Sequence, residues 1–271
     1  LISEIKSGID RFSKAKAIKD KIGKVIAEAD FVIIRVPSTL GYLALSVCKQ
    51  LNKPYMLEVV GCPWDAYWNY GSLTAKIMAP LEMLKLKTVT GGASAVVYVT
   101  DRFLQQRYPT KGLSIAISNV NIKETVGKGP AIEYYKSYDS NQDVFRIGLI
   151  GSFHVKYKGH IEALNAIKAV IDDYKISNIK LLLVGTGSPQ WIENEIKGLA
   201  IESYVEIIGT LQAGNNGVLP FLNDLHLYIH PSRQEGLPRV VIEAMSRGKL
   251  SLASSVEGLP EILPKECLNQ P

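Results

Sequence analysis

The stretch "FRIGLIGSFHVKYKGHIEALNAI", residues 145–167, decides the fold. It opens on a short apolar run that ends in glycine, then places apolar residues at helical spacing. Strand, glycine turn and helix in that order form the repeating unit of a parallel α/β sheet. The same unit recurs downstream. Strand runs stand at "KLLLVG" (180–185), "YVEIIG" (204–209), "LHLYIH" (225–230) and "LSLAS" (250–254), and helix patterns at 159–173, 190–200, 215–223 and 238–247. It recurs upstream as well, with "FVIIRV" (31–36), "YMLEVV" (55–60), "AVVYVT" (95–100) and a weaker "LSIAIS" (113–118). Between these lie the helix patterns "GYLALSVCKQL" and "TAKIMAPLEMLKLKTV". Two doubly wound series are therefore expected.

The polar segment "NIKETVGKGPAIEYYKSYDSNQD" (121–143) separates them and reads as an irregular connection. The expected division is residues 1–142 and 143–271, two domains facing a cleft, with function collected at the carboxyl ends of the strands. The chain opens at Leu1 on a helix-like segment rather than a strand, and it ends soon after "PEILPKECLNQP". Both domains are thus expected to be incomplete, truncated at the front and at the back.

A length of 271 residues suits two such domains, and 46% hydrophobic against 21% charged residues gives each enough apolar material for a core. No apolar run approaches the roughly 18 residues of a membrane span, and the charged start is unlike a secretory signal. Cys48, Cys62 and Cys267 fit no zinc or redox spacing, as expected of free thiols in a reducing cytoplasm. The net charge of +5 is uneven: residues 1–142 hold 19 Lys+Arg against 12 Asp+Glu, and residues 143–271 hold 12 against 14. A basic first half suits an anionic partner such as a phospholipid surface, or is simply a soluble basic domain. Its basic residues are not interleaved with aromatics, so no nucleic acid is expected.

The chemistry concentrates in "PSRQEGLPRVVIEAMSRG" (231–248), where Glu235 and Glu243 stand eight positions apart. Gly236 permits a tight turn, and Pro238 suits the first helical turn. The amides of Gly236, Leu237, Arg239 and Val240 then form a positive helix end that fits a phosphate. Glu235 can accept hydrogen bonds from hydroxyls nearby, and Glu243 can hold a vicinal diol such as ribose. Alternatively Glu243 pairs with Arg247 at i, i+4. No Asp-x-Asp and no clustered ligand spacing occurs, so no metal is expected. The turn "GTGSPQ" lacks the third glycine of a dinucleotide fingerprint. His230, before Pro231, reads as a satisfied structural histidine.

Glu-x7-Glu after "HPS" in an EGLP context resembles the donor site of the retaining glycosyltransferases of family 4, which have the GT-B fold of two Rossmann-like domains. "IGLIGSFHVKYKGHIEALNAI", "KLLLVGTGSP", "VEIIGTL" and "SLASSVEGLPEIL" are similar to that family's other donor-site segments, in order. "VVGCPWDAYW" and "ASAVVYVTDRFLQQRYP" resemble its first domain more loosely. The resemblance implies roles. Glu235 touches the donor sugar, Glu243 the ribose, and Lys158 neutralises the leaving diphosphate. Gly151 admits the phosphates closely, the amides from Gly236 and Leu237 past Pro238 to Arg239 face them, and Ile208, Gly209 and Thr210 flank the base. Two positions depart from the family. Ser152 replaces an arginine, with Lys156 or Arg239 as substitute charge. The first-domain histidine is missing, leaving Trp64 and Asp65 as acceptor-side candidates beside Arg35. Glu235, Lys158 and Asp65 are the expected catalytic residues.

The implied activity is metal-independent transfer of a hexose-type sugar from a UDP- or GDP-sugar, with no further cofactor, to a sugar or lipid-linked acceptor. The implied setting is surface-polysaccharide or glycolipid synthesis, in the cytoplasm and peripheral at the inner face of the plasma membrane. A nucleotide-sugar 2-epimerase of the same fold, or an inactive sugar-nucleotide-binding subunit, are the alternatives.

Overall fold

The computed structural model describes residues 8–214 and 217–271, with side chains from Ala17 onward. The helix-like reading of the first seven residues, and the first two residues of the helix expected over 215–223, lie outside the described residues. Two compact units are formed, one from the residues up to Trp64 together with Ile77–Ser118, the other from Asp65–Lys76 and Asn119–Pro271.

The first unit contains α1 (Gly8–Glu28), β1 (Val32–Val36), α2 (Thr39–Gln50), β2 (Tyr55–Val59), α3 (Pro63–Trp68), α4 (Leu73–Gly91), β3 (Ala95–Tyr98), α5 (Phe103–Arg107) and β4 (Leu113–Ala116), the cut between units passing through α3 and α4. Its four strands are parallel in the order β1-β2-β3-β4, with Ile34 opposite Leu57 and Leu57 opposite Val96. These three, with Val36, Val59 and Tyr98, are buried. Ser38 starts α2 by accepting from the Gly41 amide at 2.9 Å, as an N-cap serine does.

The second unit continues with α6 (Lys128–Lys136), β5 (Phe145–Ile150), α7 (His160–Tyr174), β6 (Ile179–Val184), α8 (Gln190–Leu199), β7 (Val205–Gly209), α9 (Val218–Asn223), β8 (Leu227–His230), α10 (Arg239–Ser246), β9 (Leu250–Ser254) and a short β10 (Leu268–Asn269). The sheet order is β10-β9-β8-β5-β6-β7, all parallel. The chain therefore winds outward from β5 through β6 to β7, then returns to the other side of β5 to lay down β8, β9 and β10. The order reverses between β5 and β8, and ligands of open α/β sheets bind beyond the strand ends at such a point.

Alternation along the strands feeds two cores, one per face. Ile147, Leu149, Leu181 and Leu183 pack with Leu164, Ile167, Ile192 and Ile196 of α7 and α8. Leu182 and Tyr228 point the other way, against Leu222, Val241 and Ala244 of α9 and α10.

Two expectations change. The connection at 121–143 is not irregular throughout, because α6 forms inside it. Pro130 falls in that helix's first turn, where its missing N–H leaves no bond unmade. Tyr135 then fastens the helix, donating to His226 O at 2.8 Å and accepting from the Leu250 amide at 2.8 Å. The segment from Asn119 onward also groups with the second unit, as do Asp65–Lys76, rather than with the first half up to residue 142. The Val126 amide bonded to Ser246 O at 2.7 Å shows how this stretch is held.

Candidate functional site

The loops leaving β5 and β8 touch backbone to backbone at the reversal. Gly159 sits in the left-handed region at φ 81, and a Cβ there would lie 2.0 Å from Pro231 O. Only glycine satisfies both conditions at this position. The Arg233 amide donates to Tyr157 O at 2.8 Å. The two loops are thus joined by main chain before any side chain acts.

On this joint sits a buried polar cluster. Lys158, from the β5 loop, makes an ion pair with Oε1 of Glu235, from the β8 loop, and His230 Nε2 meets the same oxygen at 2.8 Å. His230 Nδ1 is shared with the Tyr228 hydroxyl at 3.1 Å. Tyr228 and His230 are two residues apart on one strand, so their side chains leave the same face. Burial pushes the Glu235 carboxyl up, but the adjacent His230 and Lys158 outweigh it and hold the group below the usual carboxylate range. Glu235 is therefore a fixed anion with hydrogen-bond accepting capacity, beside a lysine able to meet an anionic leaving group.

The other candidates stand at the ends of β5 and β7 and in the loop after β5. Gly151 follows β5, its amide bonded to Val184 O at 2.8 Å. A Cβ at Gly185, after β6, would lie 1.9 Å from Gly151 O, so these two turns also approach as bare backbone. Ser152 Oγ reaches Thr186 O at 3.4 Å and the His154 amide at 3.3 Å. Lys156 is exposed, with its ammonium 5.5 Å from the Trp191 ring centroid. Ile208 and Gly209 end β7, Gly209 at φ 84, and Thr210 Oγ1 donates to Gly185 O at 3.2 Å.

Gly236 and Leu237 lead into α10, which begins at Arg239 with Pro238 as its cap residue rather than inside its first turn. Arg239 is exposed and Pro238 buried. No side chain of the cap residue bonds this end, and the Val241 amide donates to Pro238 O at 3.2 Å. Glu243 does not join the Lys158 cluster. It lines a separate cavity of about 540 Å³ with Asn121, Lys123, Leu219, Asn223 and Arg247. Burial raises its carboxyl pKa, opposed by Arg239. Arg247 donates through Nε to Asn223 Oδ1 at 2.7 Å.

Of the acceptor-side candidates, Arg35 and Trp64 belong to the first unit and Asp65 to the second. Arg35, on β1, forms a two-pronged ion pair with Glu58 on β2, at 2.9 and 3.0 Å. Trp64 and Asp65 are half-buried in the first turn of α3. Sequence reasoning gave His230 a structural part. Both its nitrogens are indeed hydrogen-bonded, but one partner is Glu235. The i, i+2 pair Tyr228–His230 leading into that loop was the signal available.

Residues 144–268 match the family model described as glycosyl transferases group 1. Over its whole length the chain is 37% identical to Protein CapJ of Staphylococcus aureus, covering 66% of that protein. Its fold is similar to that of sucrose-phosphate synthase from Thermosynechococcus elongatus, with a TM-score of 0.75 at 18% identity over 98% of this chain and 67% of the other. It is also similar to HepE of Anabaena, solved with UDP and glucose, with a TM-score of 0.70 at 17% identity over 93% of this chain and 67% of the other. The chain spans about two thirds of the length of each of these proteins. Its fold is GT-B, and through residues 144–268 it belongs to the group 1 glycosyl transferases.

Proposed function

We propose that this chain carries the donor site of a retaining, metal-independent glycosyltransferase, which moves a sugar from a UDP- or GDP-sugar to an acceptor hydroxyl. The observation that carries the reading is the Lys158–Glu235 pair at the point where the sheet order reverses. In this reading the diphosphate lies over the bare backbone of Gly151 and the first amides of α10, with Ser152, Lys156 and Arg239 nearby. The leaving-group bond, from C1 of the sugar to a diphosphate oxygen, breaks as the acceptor oxygen bonds to C1 from the same face. The acceptor's proton passes to the departing diphosphate. Lys158 offsets the charge that develops there, and its salt bridge to Glu235 keeps it aimed. Glu235 accepts from the sugar's hydroxyls, and Glu243 accepts from the ribose diol in its own cavity. Ile208, Gly209 and Thr210 border the base. Trp64, Asp65 and Arg35 serve the acceptor, with Asp65 assisting the reaction.

The acceptor is a sugar or lipid-linked intermediate of surface-polysaccharide or glycolipid synthesis, and the enzyme works in the cytoplasm against an anionic membrane surface. The basic balance of residues 1–142 supports that last element. Among the described residues no helix is long and apolar enough to cross a membrane.

Calorimetric titration of UDP, GDP and their sugar conjugates in EDTA tests the donor assignment. Metal-free binding of one nucleotide, weakened by Glu243→Ala, is expected. Binding that requires added divalent cation overturns the metal-independent reading, and product formation without acceptor replaces transfer by epimerisation.

A further inference from the structure

Helix α4 buries only one side. Ala75, Ala79, Leu86 and Thr90 are buried and recur at the spacing of a single helical face. The opposite face is apolar too. Leu73, Ile77, Leu81 and Leu84 are exposed to 75%, 62%, 55% and 56% of their surface. At 100° per residue these four fall within a sector of about 80° centred near Ile77, directly away from the buried side. Lys76 and Lys87 border the sector on one flank and Lys85 on the other. The helix's acid, Glu82, turns toward the buried side and pairs with Lys85 at 3.3 Å. Just before the helix, Trp68 and Tyr70 are exposed, with the Lys76 ammonium 5.5 Å from the Trp68 ring centroid.

A soluble helix normally shows charge where α4 shows leucine and isoleucine, so the stripe needs a cover. The flanks decide which. A second copy laid along the stripe would bring lysine rows against lysine rows, a repulsive arrangement. An anionic lipid surface meets both features at once. The stripe enters the acyl boundary, the lysine stems lie along it with their ammonium groups at the phosphates, and the tryptophan and tyrosine suit the headgroup zone.

We propose that α4 is the membrane-docking element of this protein, lying in the plane of an anionic phospholipid surface on its Leu73–Ile77–Leu81–Leu84 stripe. The inference rests on the peripheral membrane contact proposed above and is independent of the donor assignment.

Flotation of the whole protein with phosphatidylcholine vesicles, with and without phosphatidylglycerol, tests it. Three proteins are compared: wild type, the double substitution Ile77→Asn with Leu81→Asn, and the double substitution Lys76→Gln with Lys87→Gln. All four positions are exposed, so the thermal transition should be unchanged, and a melt checks this for each. Wild type should float with phosphatidylglycerol vesicles and be released by salt. The apolar variant should lose about tenfold or more in partitioning, since burial of two large side chains is withdrawn. The lysine variant should lose on the order of twenty-five-fold, about fivefold for each charge near the surface. No flotation of wild type overturns the membrane contact altogether. Flotation equal in wild type and the apolar variant keeps the contact but removes α4 from it. A wild-type dimer in light scattering that the apolar variant abolishes, without vesicle binding, assigns the stripe to a second copy. UDP titration of the same preparations reads the donor site separately, and none of these outcomes depends on it.

Discussion

At the scale of single residues, the two glutamates of one segment do different work because the chain turns between them. Glu235 is locked to Lys158 and His230, and Glu243 faces its own cavity. Their substitutions should therefore separate. Glu243→Ala is expected to weaken UDP binding by about tenfold to a hundredfold, the worth of a carboxylate holding two hydroxyls. Unchanged UDP affinity by calorimetry would remove ribose from that cavity. Glu235→Gln should leave UDP affinity within about threefold and lower kcat/KM for transfer by about a hundredfold, because a neutral amide no longer fixes Lys158. A rate unchanged in steady-state kinetics would show that the pair is structural. His230 shows why part of this site was hidden. Histidine on an apolar strand reads the same whether it closes a core or braces a carboxylate, and only the fold brings residue 235 back to it.

Among the elements, the second unit was legible because its apolar runs each had one period and four of its strands ran into a glycine or proline, at Gly151, Gly185, Gly209 and Pro231. Residues 128–136 were not. Gly127, Gly129 and Pro130 are the usual marks of a loop, and α6 gains its order from a tyrosine hydroxyl bonded to distant backbone, which no local pattern records. The α10 boundary likewise moved by one residue, since proline suits the cap as well as the first turn. At this scale α7 offers a pH test. His160 is its first residue, buried beside Phe153 and Trp191, and burial pushes its imidazole down to about 4 against the pull of the Gly151 backbone. The unfolded histidine titrates near 6.5, so between pH 6.5 and 4 the unfolded chain binds the extra proton. The stability associated with neutral His160 is present above pH 6.5 and is lost as pH falls toward 4, up to about 3 kcal/mol. Chemical denaturation across that window should show a shallower pH dependence in His160→Gln than in wild type. Half-buried His226, also shifted down by burial, contributes in the same direction in both proteins. Equal slopes would mean that His160 is accessible to protons in the folded state.

For the whole molecule, the sequence indicated two α/β units, and two are formed, though segments 65–76 and 119–142 group with the second rather than the first. Local periodicity identifies elements but carries no information about which sheet a connecting segment will lean on, and that is settled by contacts far apart in sequence. The candidate site was legible as a set of residue types, and its division into a Lys158–Glu235 cluster and a Glu243 cavity was not, because the reversal of strand order is a property of the assembled sheet.

That reversal has a consequence for the integrity of the chain. Lys158 and Glu235 come from segments joined by the backbone contacts of Gly159, Tyr157 and the 231–233 loop, not by the peptide bonds between them. Residues 172–177, from the end of α7 into the turn before β6, are exposed and include Lys175. A protein clipped there by trypsin should run as two pieces in denaturing gels yet as one particle in native ones, with UDP affinity kept. The donor site would then be a seam between two fragments, able to outlast the covalent continuity that built it.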